Sequence, residues 1–136
     1  MNQRFSDAFL AGQRERINTD KRASFETGVH WVQTVLLPAI KKANGELHRH
    51  GTLIRHELNL DHRSTNHAHA DFWLSEKDSS KQTPEGPKYS LNVIGDEVRL
   101  YKAREQSESL GSTKHCDTEL IEQLLLKAVQ DYGSGK

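Results

Sequence analysis

The stretch that decides the fold runs from residue 52 to residue 75 and reads TLIRHELNLDHRSTNHAHADFWLS. Apolar and polar side chains alternate through its second half, and a period of two is typical of a half-buried strand. The runs 52–60 and 66–75 are therefore predicted to be two antiparallel strands joined by the polar loop 61–65.

Side-chain character also predicts how these two strands pair, because one face must be buried. The predicted pairs are Leu58 with Ala68, His56 with Ala70, Ile54 with Phe72, Glu57 with His69, and Arg55 with Asp71. In this register His56 is expected to be a hydrogen-bonded core histidine, and opposite charges face each other on the second face.

Helical periodicity precedes the strands. Apolar residues recur every three or four positions from about Thr19 to Leu47, which predicts one long amphipathic helix. Pro38 lies inside it and predicts a kink near residues 34–37. Asn44 with Gly45 could end the helix, although Leu47 extends the apolar stripe for one further turn.

A second hairpin and a final helix follow the polar stretch 75–87. Gly95 and Asp96 separate two alternating runs and predict a tight turn, with Val93 opposite Val98. The last helix is expected to begin after Asp117 as N-cap and to end at Gly133.

These elements predict one α+β domain over residues 1–136. We expect a four-stranded antiparallel sheet, a meander of two hairpins, with the N-terminal and C-terminal helices packed on one face. Residues 1–18 are predicted to be a mobile or separately packed helical arm, and residues 133–136 a flexible tail.

Composition limits the function classes. Nineteen basic residues balance nineteen acidic ones, so no overall field favours nucleic acid or an acidic membrane. A mean hydropathy of -0.80, a single cysteine and no long apolar run predict a cytoplasmic protein without a membrane segment.

The second strand carries the one concentration of reactive side chains. His67, His69 and Asp71 alternate on one face, and two imidazoles with a carboxylate suit one divalent transition metal. A metal-dependent enzyme is therefore one hypothesis. Ordinary cross-strand pairing of His69 and Asp71 is the alternative, in which no cofactor binds.

Two further hypotheses have less support in the sequence. Cys116 follows His115, but catalytic dyads are defined by spatial geometry, so a structural thiol is preferred. Nucleic-acid binding would depend on a set of basic residues, but acidic residues lie among them in the sequence. A solvated surface of mixed charge is therefore the favoured interpretation. The basic residues concerned are Lys41, Lys42, Arg49, Arg55 and Arg63.

The favoured hypothesis is a small binding or adaptor protein without catalysis of its own. It would bind a protein partner, or a second copy of the chain, through an open polar and aromatic sheet face. The predicted contact residues on that face are Leu53, Trp73, Ile94 and Tyr101. The alternative is that a helix at residues 6–17 covers these aromatic side chains.

Overall fold

The fold is seen in a computed structural model, which describes residues 5, 7–9, 24–78, 87–102 and 106–134. The predicted α+β class with an open antiparallel sheet and helices is confirmed. The predicted strand number is wrong, because the sheet has five strands, in the order β1-β2-β3-β4-β5. Most of the predicted arm 1–18 and the last two residues of the predicted tail lie outside the described residues.

The first long helix, α1, contains one π-helical turn just before Pro38. Residues 24–31 are α-helical, Val32–Leu36 form a π-helical turn, and Leu37–Leu47 are α-helical again. Pro38 lacks an N–H and its ring crowds the carbonyl four residues earlier, so an ordinary helix cannot continue through it. The predicted irregularity therefore exists, as a widened turn that begins two residues before the predicted position.

Helix α1 continues past Asn44 to Leu47, the further turn that the apolar stripe also indicated, and the Asn44 side chain bonds the first strand. Its Nδ2 donates to the carbonyl of Ile54 at 3.0 Å, and its Oδ1 accepts from the Ile54 N–H at 2.7 Å. A short 3₁₀ turn, His48–His50, follows the helix, and Gly51 at φ 70° leads into the first strand.

All neighbouring strands in the sheet are antiparallel. Their bounds are β1 Thr52–Asn59, β2 Ala68–Glu76, β3 Tyr89–Ile94, β4 Glu97–Lys102 and β5 Glu108–Ser112. Strand β5 was not predicted, and it pairs with β4 across an irregularity between Glu97 and Arg99. The second hairpin, β3–β4, has the predicted register, and Gly95 adopts φ 63° in its turn.

The predicted pairing of β1 with β2 is wrong by two residues. Ile54 lies opposite Leu74 and His56 opposite Phe72, while Arg55 faces Trp73 and Glu57 faces Asp71. A two-residue slip leaves every side chain on its predicted face, so alternation alone does not distinguish the two registers. The prediction of a core histidine also fails, since His56 is exposed on the edge strand.

The second long helix, α2, spans Thr118–Gly133 and begins as predicted, with Asp117 accepting a hydrogen bond from the Leu120 N–H at 3.0 Å. Its buried side chains form one core with α1 and with the inner face of the sheet. Trp31 links α1 to the segment just before α2, because its Nε1 donates to the Cys116 carbonyl at 2.8 Å. No helix in the described ranges is long and apolar enough to cross a bilayer.

Candidate functional site

A buried carboxylate lies at the centre of the outer face of the sheet, the face opposite the two long helices. Asp71 is 7% exposed and accepts from Ser90 Oγ at 2.5 Å. His69 Nε2 lies 2.7 Å from Asp71 Oδ1, and Lys88 Nζ lies 3.3 Å from Oδ2. His69 Nδ1 lies 2.8 Å from Asn92 Oδ1. These five residues form the Asp71 network.

Strand geometry assembles this network. His69 and Asp71 are two residues apart on β2, so their side chains lie side by side on one face. Strand β3 supplies their cross-strand partners, with Asn92 opposite His69 and Ser90 opposite Asp71. The carboxylate is compensated by hydrogen bonds and by the Lys88 ammonium, as a buried charge requires.

The predicted cross-strand ion pairs on this face are replaced. Asp71 was expected to pair with Arg55, and His69 with Glu57. In the observed register Arg55 instead lies opposite Trp73, and its Nε donates to Ser75 Oγ at 2.5 Å. The two-residue slip places Asn59 opposite His69 and Glu57 opposite Asp71, and the histidine and the carboxylate, adjacent on β2, contact each other.

The reactive side chains of the network are bonded to one another. Each imidazole nitrogen of His69 lies within hydrogen-bond distance of a protein oxygen, Nε2 of Asp71 Oδ1 and Nδ1 of Asn92 Oδ1, so neither is directed at open solvent. The Ser90 hydroxyl donates to a carboxylate and not to an imidazole, so the serine–histidine–carboxylate order of a nucleophilic triad is not formed.

The predicted metal ligands are brought only partly together. His69 and Asp71 contact each other, whereas His67 precedes β2, where its backbone N–H donates to Thr65 Oγ1 at 3.4 Å. In the described part of the chain, no three His, Cys, Asp or Glu side chains are close enough to hold one metal ion. The divalent metal at His67, His69 and Asp71 stays a prediction without geometric support.

Strand β4 extends the network to an exposed aromatic ring. Tyr101 lies opposite Ser90 and is 37% exposed, and Arg99 lies opposite Asn92. Arg99 is held by Glu97 Oε1 at 2.6 Å and by Ser107 Oγ at 2.9 Å, and the hydrogen bond with Glu97 raises its pKa. We name this surface the outer-sheet patch; its members are His69, Asp71, Ser90, Asn92, Arg99 and Tyr101.

The four predicted contact residues do not form one surface. Leu53 lies opposite Ser75 at one end of β2, and Ile94 lies beyond the other end of β2. Measured along the direction of β2, the two residues are about 26 Å apart. Trp73 is on the predicted face but is only 5% exposed. Of the four, Tyr101 alone is an exposed aromatic side chain.

Trp73 has a further peculiarity: its indole N–H is buried and has no acceptor among the described residues. An open cavity of about 290 Å³ adjoins it, lined by Arg55, His56, Glu57 and Trp73. The predicted covering helix at residues 6–17 lies largely outside the described residues.

Burial or ordinary ion pairs account for Cys116 and for two of the basic residues. Burial raises the pKa of the Cys116 thiol to about 11, so this fully buried group is not a nucleophile at neutral pH. Of the basic residues proposed for nucleic acid, Lys42 pairs with Glu122 at 2.9 Å, and Arg63 with Asp61 at 3.2 Å.

Sequence reasoning missed three members of the outer-sheet patch. It named His69, Asp71 and Tyr101, but it did not assign Ser90, Asn92 or Arg99 to a site. The alternation of Ser90, Asn92 and Ile94 along β3 was the available signal.

No protein-family model matches the chain, and no curated protein or solved structure is significantly similar to it.

Proposed function

We propose that this chain is a binding protein without catalysis of its own, and that it binds a protein partner or a second copy of itself through the outer-sheet patch. The observation that carries the proposal is the exposed Tyr101 ring beside polar groups that hydrogen bonds already hold in place. Side chains fixed on strands lose little conformational freedom on binding, which favours affinity.

The chemistry of the patch suits a protein surface. Tyrosine and arginine are enriched where protein partners make their strongest contacts, and Tyr101 and Arg99 are neighbours on β4. Asp71 lies two strands from Tyr101 on the same face, with Ser90 between them, and is shielded by His69 and Lys88. We therefore expect the exposed side chains to contact the partner and Asp71 to position them.

The absence of catalysis is part of the proposal and rests on the state of the reactive groups. His69, Asp71 and Ser90 are mutually hydrogen-bonded, and the Cys116 thiol is buried. A general base needs a free lone pair directed at a substrate proton, whereas the Asp71 carboxylate accepts from Ser90 and lies against His69 and Lys88.

Site-specific photo-crosslinking tests the proposal. A photoreactive phenylalanine analogue would replace Tyr101 in one variant and Lys102 in another, since Lys102 is adjacent in sequence but lies on the inner face. Irradiation of the purified protein and of cell extract should give crosslinked products from position 101, identified by mass spectrometry, and far fewer from position 102.

A second measurement gives the magnitude. With the crosslinked partner in hand, Tyr101→Ala should weaken binding by about 2 kcal/mol, which is roughly thirtyfold in Kd. Equal crosslinking from both positions, together with sedimentation that Tyr101→Ala leaves unchanged at every concentration, would place the binding surface elsewhere.

A further inference from the structure

An apolar groove separates the two long helices on the side of the molecule away from the sheet. Its floor includes Ala39 and Ala43 of α1 with Leu125 and Val129 of α2, and its volume is about 200 Å³. Leu126 lines the groove and is 66% exposed. The ion pair between Lys42 and Glu122, two further lining residues, joins the helices here.

Two exposed phenylalanines provide a matching apolar surface. Phe5 and residues 7–9 are helical, and Phe5 and Phe9 are 85% and 66% exposed. Side chains four residues apart lie on the same side of a helix, so the two rings project together. Among the described residues, therefore, nothing covers this apolar pair and nothing fills the apolar groove.

The size of the groove fits one aromatic ring. A buried cavity of about 150 Å³ lined by apolar side chains is large enough to take up benzene. The groove of about 200 Å³ thus has room for the ring of one phenylalanine. The small side chains of Ala39 and Ala43 leave this space, and Leu126 is placed to contact the second ring at the rim.

We propose that the N-terminal turn bearing Phe5 and Phe9 docks in the α1–α2 groove of the same chain. This contact uses neither the sheet nor the outer-sheet patch, so it goes beyond the binding function proposed above.

Chain length permits the contact within one molecule. Residues 10–23 separate Phe9 from Ser24, and fifteen Cα–Cα steps span at most about 50 Å. Ser24 and Ala43 are about 28 Å apart along α1. A tethered segment also has an effective concentration in the millimolar range, so the same chain competes well against a second copy.

Disulfide trapping in the full-length chain tests the contact. Phe9→Cys combined with Leu126→Cys should form an intramolecular disulfide under mild oxidation. The matched control combines Phe9→Cys with Lys127→Cys, because residue 127 is one position along α2 but about 100° around the helix from residue 126. The native Cys116 is fully buried and does not interfere.

The expected result is a monomeric disulfide that forms several-fold faster with position 126 than with position 127. Equal rates at both positions would overturn the proposal, because they would reflect the tether alone. A disulfide-linked dimer would also overturn it and would identify a second copy as the occupant.

An equilibrium measurement separates docking from chance collision. In Leu126→Cys alone, docking should slow alkylation of the new thiol, and adding Phe5→Ala and Phe9→Ala should restore a several-fold faster rate. Far-UV circular dichroism would confirm that these variants are folded. Alkylation rates that the two alanine substitutions leave unchanged would contradict the proposal.

Discussion

The substitution Gly28→Ala tests how closely helix α1 approaches the sheet. A Cβ atom at this position would lie 2.8 Å from the Ala68 Cβ and 3.0 Å from the Val93 Cβ. Contacts this short require the helix or the strands to move, and overpacking of a core costs about 1–3 kcal/mol. Alanine also favours the helix over glycine by about 0.5–1 kcal/mol, which offsets part of that cost.

Gly45 is the matched control in the same helix, because a Cβ there would meet no atom within 4 Å. Gly45→Ala should raise the free energy of unfolding by about 0.5–1 kcal/mol. Gly28→Ala should lower it by up to about 2.5 kcal/mol once the two opposing effects are added. The difference between the variants, about 1–3 kcal/mol, isolates the steric cost.

Urea unfolding followed by far-UV circular dichroism measures both variants, and equal m-values would show that the compactness of the two states is unchanged. In a chain of this size the difference corresponds to a separation of roughly 4–12 °C in Tm. If Gly28→Ala were as stable as Gly45→Ala, the close approach of α1 to β2 and β3 would be refuted.

Three further residues, Leu125, Cys116 and Asn44, test the core and the sheet edge. Leu125→Ala should lower the free energy of unfolding by about 2–5 kcal/mol, because Leu125 is buried, whereas Lys127→Ala at an exposed position of the same helix should change it by less than about 0.5 kcal/mol. Similar losses in urea titrations would mean that the face of α2 is wrongly assigned. The Cys116 thiol should resist aromatic disulfide reagents at pH 8 until the chain unfolds; rapid reaction of the folded protein would contradict its burial. Since its pKa rises from 9.0 to about 11 on folding, the unfolded chain loses this proton first. Stability should therefore decline as the pH rises from 9 towards 11, and Cys116→Ala should reduce that slope. Asn44→Ala should cost about 1–3 kcal/mol in urea unfolding, because both of its bonds to the Ile54 backbone are lost. No loss of stability in Asn44→Ala would show that these bonds contribute nothing to the free energy of unfolding.

Local signals in the sequence predicted the elements whose formation depends on near neighbours. Gly95 supplies the positive φ of the β3–β4 turn, and Asp117 caps the first turn of α2, so both boundaries were predictable. Strand β5 reads ESLGS and carries one apolar residue, Leu110. It forms by pairing with β4, which is a tertiary interaction that strand propensity does not report.

The close packing of α1 on the sheet was also missed, although the sequence contains a signal for it. Gly28 lies within the predicted helix, where glycine is unfavourable, and Ala68 is small for an inward strand position. The structure places the two against each other. A glycine within a strongly periodic helix indicates that the helix packs closely against another element there. A small residue at an inward position of a strand indicates where the helix packs.

The candidate site shows why faces are easier to predict than neighbours. Alternation fixes which side of the sheet a residue occupies, so His69 and Asp71 were correctly expected side by side on one strand. Their partners on other strands depend on register, and a slip of two residues preserves the face while changing every partner. The pairing of Ser90 with Asp71 therefore could not be obtained from alternation in β2 alone. The turn at Gly95 fixed the register of the second hairpin, whereas the longer loop 61–65 left that of the first hairpin undetermined.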